Sequence, residues 1–166
     1  LSNMKRALEG LKVIDMTNVV MGPAVTRMLA DYGATVIKLE STVRPDGLRS
    51  LTPFRGTGEG PDRSGYFAMY NAGKLSLTVN MRKESGRAFF RKYLLPWADV
   101  IAEAYAAGVL ERWGLAYEDM RGVKQDIILL RSCLAGHTGP HKDLKGTGQI
   151  TAALAGWYDL TGWPDS

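Results

Sequence analysis

Leu11-Lys12-Val13-Ile14-Asp15-Met16, then Gly22-Pro23 leading into Ala24-Val25-Thr26-Arg27-Met28-Leu29-Ala30-Asp31-Tyr32, then Gly33 and Thr35-Val36-Ile37-Lys38-Leu39-Glu40, is the stretch that decides the fold. The first and last runs are short, apolar and β-branched, and read as strands. Between them, apolar residues at 24, 25, 28 and 29 follow the helical period, with proline in the tolerated first turn and Gly33 where a helix stops. Strand, helix and strand in so short a span make a βαβ unit, so these two strands run parallel.

Further along, Leu75 to Asn80 alternates as a strand, Ser85 to Trp97 reads as a helix with Ala88, Phe89, Tyr93 and Leu94 on one face, and Asp99 to Ala104 is the next strand. Val109 to Trp113 and Tyr117 to Val123 read as short helices. Asp126 to Cys133 is a fifth strand whose apolar centre predicts burial on both faces. Residues 41–65 carry turn signals and no apolar period, which predicts a long surface loop, followed by one helical turn at Tyr66 to Tyr70. Gly136 to Gly148 reads as loop, Gln149 to Gly156 as a helix, and Leu160 to Ser166 as a turn. The alternation predicts an α/β protein with an open, mainly parallel sheet and helices on both faces.

The composition excludes several classes. The chain has 166 residues, 45% hydrophobic and 23% charged, which rules out a disordered tail, a collagen or a coiled coil. No apolar run reaches the roughly 18–20 residues of a membrane span, and the opening residues lack a signal peptide's apolar core, so no membrane association is expected. A single cysteine, Cys133, excludes an internal disulfide framework and fits a cytoplasmic protein. With two histidines besides, little is available for a metal site, and none is expected. Twenty-one basic residues against 17 acidic give a net charge of +4 without any basic run, which argues against nucleic acid while suiting a small polyanion. Glycine is in surplus, 19 residues, against a usual share of roughly 7%, and it gathers in loops.

In a parallel sheet, ligands lie off the carboxyl ends of the strands. Those ends are Thr17 to Pro23, Glu40 to Arg44, Asn80 to Arg82, Ala104 to Gly108 and Ser132 to Gly139. Glu40 stands where a dinucleotide-binding fold keeps its ribose acid, but Asn18-Val19-Val20-Met21-Gly22-Pro23 offers one of the three glycines required, so Glu40 reads as a strand-end carboxylate in a surface ion pair. Asp15 reads as a residue that orders its loop, Asp165 as a turn residue, His137 as a polar loop residue and Cys133 as core.

Eight segments in order then resemble the class III CoA-transferases (the carnitine dehydratase-like or formyl-CoA transferase family). They are Leu8 to Thr17, Gly22-Pro23, Gly33 to Glu40, Asn71 to Asn80, Ala98 to Glu103, Leu110 to Leu115, Gly136-His137-Thr138-Gly139-Pro140, and Leu160 to Asp165. The insertion from Pro53 to Tyr66 is similar to that of benzylsuccinate CoA-transferase relatives. The resemblance implies a Rossmann-like sheet in the N-terminal portion of a two-domain enzyme, with residues 1–166 as part of its large CoA-binding domain and an interlocked homodimer as the assembly. It implies transfer of coenzyme A between an acyl-CoA and a carboxylic acid, with acyl-CoA as substrate rather than resident cofactor.

The family's CoA-contacting positions fall on Asn18, Val19, Val20 and Met21; Val79, Asn80, Met81 and Arg82; Ala104, Tyr105 and Ala106; Arg112; and Lys145, Gly146, Thr147 and Gly148. Arg82, Arg112 and Lys145 are suited to phosphates. Two positions depart from better-known members: Ser41 replaces a basic residue after the second-strand acid, and Ala104 replaces an asparagine after the fourth-strand acid.

The family nucleophile is an aspartate that attacks the thioester, and the resemblance puts it just past Ser166, so no catalytic residue is expected within these residues. Two alternatives stay open. An α-methylacyl-CoA racemase of the same superfamily needs an acid/base pair, and Thr147 stands where its histidine is expected. A non-catalytic CoA-binding partner subunit would need no nucleophile.

Overall fold

A computed structural model of the chain describes residues 5–58 and 60–162. Five strands, β1 (Lys12–Met16), β2 (Thr35–Glu40), β3 (Leu75–Thr78), β4 (Val100–Glu103) and β5 (Ile128–Arg131), form one sheet in the order β3-β2-β1-β4-β5. Every neighbouring pair is parallel. The sheet is α/β and open, as the sequence predicts.

Alternation along β1 sends side chains to two cores. Ile14 and Met16 join Leu39, Ile101, Phe90, Leu94, Leu95, Leu110 and Met120 in the larger one. Val13 joins Val36, Val100, Ala30 and Ala34 on the opposite face. The second face is covered by α1 (Met21–Asp31), against which α2 (Gly65–Asn71) packs. The first is covered by a π turn (Phe90–Leu94) that follows α3 (Glu84–Phe89), and by α4 (Leu95–Trp97), α5 (Val109–Arg112) and α6 (Tyr117–Val123). A last helix, α7, spans Gly148–Leu154.

Helical amphipathicity misplaces two faces. On α1 the buried stripe is Gly22, Pro23, Thr26 and Ala30, while Val25 and Met28 are exposed. Small and hydroxyl residues face inward there because charged groups of the sheet lie beneath. The predicted helix from 85 to 97 contains a π turn, so Phe90, Leu94 and Leu95 enter the core while Phe89 and Tyr93 lie outside as a tilted ring pair with centroids 5.1 Å apart. Pro96 gives the reason: it lacks an N–H and its ring crowds the carbonyl four residues earlier, and a wider turn relieves both.

Two further expectations are corrected. β5 is the sheet's edge strand, with Ile128 57% exposed, so it is not buried on both faces. Cys133, read as core, is exposed. The segment 41–65 is a loop, but one pinned by the buried residues Asp46, Leu48 and Ser64, with a 3-10 turn at Gly47–Ser50. It leads into α2 of seven residues rather than a single turn. Of the turn expected over Leu160 to Ser166, residues 163–166 lie outside the described residues.

Candidate functional site

Because all five strands are parallel, the five loops that follow them share one edge of the sheet. The chain passes from β1 to α1 on one face and from β4 to α5 on the other. β1 and β4 are neighbours, so their following loops diverge and leave a crevice between them. Thr17 to Val20 forms one wall and Ala104 to Gly108 the other.

The first wall stands on a buried ion network. Asp15 is fully buried and accepts hydrogen bonds from Thr17 N–H at 2.9 Å, from the Thr17 hydroxyl and from Thr26 Oγ1 at 2.7 Å. Lys74 Nζ lies 2.8 Å from Asp15 Oδ2 and also reaches Pro23 O, Thr26 Oγ1 and Asn71 Oδ1 at 2.8–2.9 Å. Burial alone pushes the Asp15 carboxyl up, but the Lys38 and Lys74 charges hold it below its ordinary value. Asp15 therefore orders the loop that follows it, as expected, and does so as half of an ion pair.

Beside this pair, Lys38 Nζ donates to Thr17 O and to Asp46 Oδ2, the latter at 2.8 Å, with both side chains out of water. Asp46 Oδ1 accepts the N–H of Val19 and of Leu48, each at 3.0 Å. Val19 sits at φ +65°, among the described residues the one non-glycine in the left-handed region. A β-branched residue there is strained, and the backbone is held so only when its surroundings over-determine it. Here the tie to Asp46 supplies the constraint. Gly22 completes the turn: a Cβ on it would stand 2.4 Å from Thr17 Cβ. The first amide that α1 closes is Ala24 N–H on Val20 O, so the Met21 and Gly22 amides ahead of it have no acceptor within the helix. Val20 caps the helix without a side-chain bond, which leaves the positive end of its dipole open.

Glu40, expected in a surface pair, is largely buried and binds Arg49 through both oxygens, at 3.0 and 2.6 Å, while accepting Asp46 N–H at 2.9 Å. Burial works to raise its pKa, and the Arg49 bonds bring it below the ordinary value. It supports the loop.

The other predicted positions divide. Asn80 Oδ1 accepts Arg82 N–H at 3.0 Å and shapes the loop after β3, whose Arg82 is exposed and makes no ion pair among the described residues. Gly86 lets α3 close on this loop, since a Cβ there would meet Asn80 O at 2.2 Å. Met81 is buried in the larger core and half-buried Val79 packs against it. Tyr105 lies edge-on to Trp113 with ring centroids 5.1 Å apart. Its hydroxyl is pushed up to about 12 by burial and by the Glu103 charge, with Arg44 acting in the opposite direction. It stays protonated and a donor. Arg112 is exposed, and its Nη1 lies 3.0 Å from the place a Cβ on Gly108 would occupy, so the guanidinium folds back over the loop after β4. Lys145 to Gly148 is exposed, next to Leu134 through Gly146, at the mouth of α7.

Sequence reasoning missed Lys38, Asp46, Glu103 and Arg131. A signal existed for Lys38: a lysine midway along a strand of a two-sided sheet must have a buried partner. Nothing local marks Asp46 as that partner.

Residues 8–166 match the description CoA-transferase family III. The chain belongs to this family. Among family III relatives it is 37% identical over 161 residues to the acetyl-CoA:oxalate CoA-transferase of Acetobacter aceti, covering 97% of this chain and 40% of that protein. It is 34% identical over 165 residues to the succinate–glutarate CoA-transferase of Agrobacterium fabrum, covering 98% and 41%. The fold matches the crystal structure of a CAIB/BAIF family protein from Brucella suis with a TM-score of 0.88 at 36% identity, over 98% of this chain and 43% of that one. The chain thus spans about two fifths of the length of these family III relatives. Among the described residues no cluster of three or more potential metal ligands occurs, and no helix is long and apolar enough to cross a membrane.

Proposed function

We propose that this chain supplies the coenzyme A cradle of an acyl-CoA:carboxylate CoA-transferase. The observation that carries the reading is the strained Val19 turn, tied to buried Asp46, which presents the open amides at the head of α1 to the crevice between β1 and β4. Backbone amides at a helix N-terminus suit a phosphate, and Arg112 and Arg82 add forks of donors for the remaining charge. Tyr105 and Trp113 offer an aromatic wall beside them. Membership of family III supports the same reading.

In the proposed reaction an aspartate carboxylate attacks the acyl-CoA thioester, and CoA thiolate leaves to give a mixed anhydride. The thiolate returns to the aspartyl carbonyl and expels the first acid, leaving an aspartyl-CoA thioester. The acceptor carboxylate attacks that thioester and CoA passes to it by the reverse steps. The aspartate belongs beyond Ser166. These residues then hold the CoA while acid and thiolate exchange places. An interlocked homodimer and a cytoplasmic site of action complete the proposal.

The test is to incubate the complete polypeptide with labelled succinyl-CoA and a panel of carboxylic acids. Movement of CoA to one or more acids supports the reading. No transfer to any acceptor, with α-epimerisation of a branched acyl-CoA instead, would establish the racemase. CoA binding with neither reaction would leave the non-catalytic partner.

A further inference from the structure

We propose that Glu103 is a positioning residue that couples the loop after β4 to the loop after β5 and so sets the Ala104–Ala106 wall of the cradle. The inference rests on reading that wall as part of the CoA site. Glu103 ends β4 and is fully buried. Its Oε2 accepts Tyr105 N–H at 2.7 Å, a charge-assisted bond that fixes the first turn of the loop. Its Oε1 faces two groups from the neighbouring strand and loop: Arg131 Nε at 3.4 Å and His137 Nε2 at 3.5 Å. Arg131 ends β5 directly opposite Glu103 in the register. His137 comes from the loop beyond, its Nδ1 lying 3.3 Å from Arg131 Nη1.

Oε1, Arg131 Nε and His137 Nε2 are all buried, and none has a hydrogen-bond partner of good geometry. A charge-assisted N–H to carboxylate bond closes at about 2.7–2.9 Å, so a shift of roughly half an ångström would complete the contacts. Leaving three such atoms unpaired is costly; closing the His137 loop onto Glu103 pairs Oε1 with His137 Nε2, and a matching shift of the Arg131 side chain pairs its Nε with the same oxygen. One carboxylate therefore holds one loop through one oxygen and stands ready to hold the second through the other.

The charged and titratable groups around Glu103 are Tyr105 on its own loop, Arg131 on β5, His137 on the next loop and Glu111 on α5, which Arg131 Nη2 binds at 2.8 Å. Burial pushes the Glu103 carboxyl up, and burial followed by the Arg131 charge pushes His137 down. Protonating Glu103 removes the charge that Arg131 and His137 both face, so the strength of the latch is expected to change with pH.

The test compares Glu103→Ala and Glu103→Gln with the wild type in the complete polypeptide. Amide hydrogen exchange is followed in 104–106 and 132–139, and CoA affinity is followed by calorimetry from about pH 5 to about pH 8. Glu103→Ala is expected to speed exchange in both segments together and to weaken CoA binding about tenfold, with the strands unaffected. Glu103→Gln keeps an acceptor for Tyr105 N–H, so it should restore protection at 104–106 and most of the affinity while flattening the pH dependence. Exchange that rises at 104–106 alone, or affinity and pH profile unchanged in both variants, would overturn the coupling. A wild type that does not bind CoA at all would overturn the cradle, and the exchange data would still decide whether Glu103 joins the two loops.

Discussion

Lys38 and Asp46 form an ion pair of 2.8 Å in which neither side chain is more than 2% exposed, joining the middle of β2 to a turn eight residues later. The same Asp46 carboxylate holds Val19 in its strained conformation at the head of α1. The stability of the sheet and the shape of the loop after β1 therefore meet in one side chain. Removing one partner of such a pair leaves a buried charge uncompensated, whereas removing both does not.

Asp46→Ala is expected to destabilise the folded protein by about 3–5 kcal/mol. Asp46→Asn retains an acceptor for Val19 N–H but loses the charge. It should cost less and preserve more CoA affinity. Urea unfolding and calorimetric titration of the same samples check this, and the double change Lys38→Met with Asp46→Leu should recover part of the lost stability while CoA affinity stays low.

Gly22→Ala forces a Cβ into Thr17 and should cost about 1–3 kcal/mol together with loss of the Thr17–Val20 turn. Gly122→Ala on exposed α6, where a Cβ meets nothing within 4 Å, should instead stabilise by about 0.5–1 kcal/mol. Opposite signs for the two substitutions in thermal unfolding would separate close approach from helix propensity.

Acid should unfold this protein through Asp15 and Glu40. Both carboxyls sit below their ordinary values of 3.8 and 4.5 in the folded state. Their contribution is therefore complete above those values and is lost as pH falls from them through the lower folded-state values, because the unfolded chain takes up the protons first. Asp15→Asn should lower stability at neutral pH and flatten the acid limb of a stability-against-pH curve.

Arg112→Ala should weaken CoA binding about tenfold and reduce its dependence on salt, as expected when a charge-assisted phosphate contact is removed. Stability should hardly change, since Arg112 is exposed and enters no ion pair among the described residues. Calorimetric titrations at low and high ionic strength provide the measurement.

The strands were legible because Val13-Ile14, Val36-Ile37, Val100-Ile101 and Ile127-Ile128 are local, β-branched signals. What fails in the sequence depends on neighbours that periodicity does not register. Val25 and Met28 looked like the inner face of α1, yet Thr26 takes that place because Asp15 and Lys74 lie below it. β5 looked doubly buried, yet it is an edge, and being at an edge is a property of the sheet. The loops after β1, β3 and β4 share the edge where a parallel sheet binds ligands, because their strands are local signals and run parallel. The supporting residues Asp46, Glu103 and Arg131 carry no local signal because their partners come from other elements: β2 for Asp46, β4 and β5 facing each other for Glu103 and Arg131.

The central claim is that the carboxyl edge of this sheet cradles CoA, and amide hydrogen exchange of the complete polypeptide with and without CoA tests it most directly. The account predicts new protection at 18–21, 79–82 and 104–108, around the crevice between β1 and β4. Protection confined to the opposite edge, around Ala30–Ala34 and Gly73, or no change anywhere at saturating CoA, would contradict it.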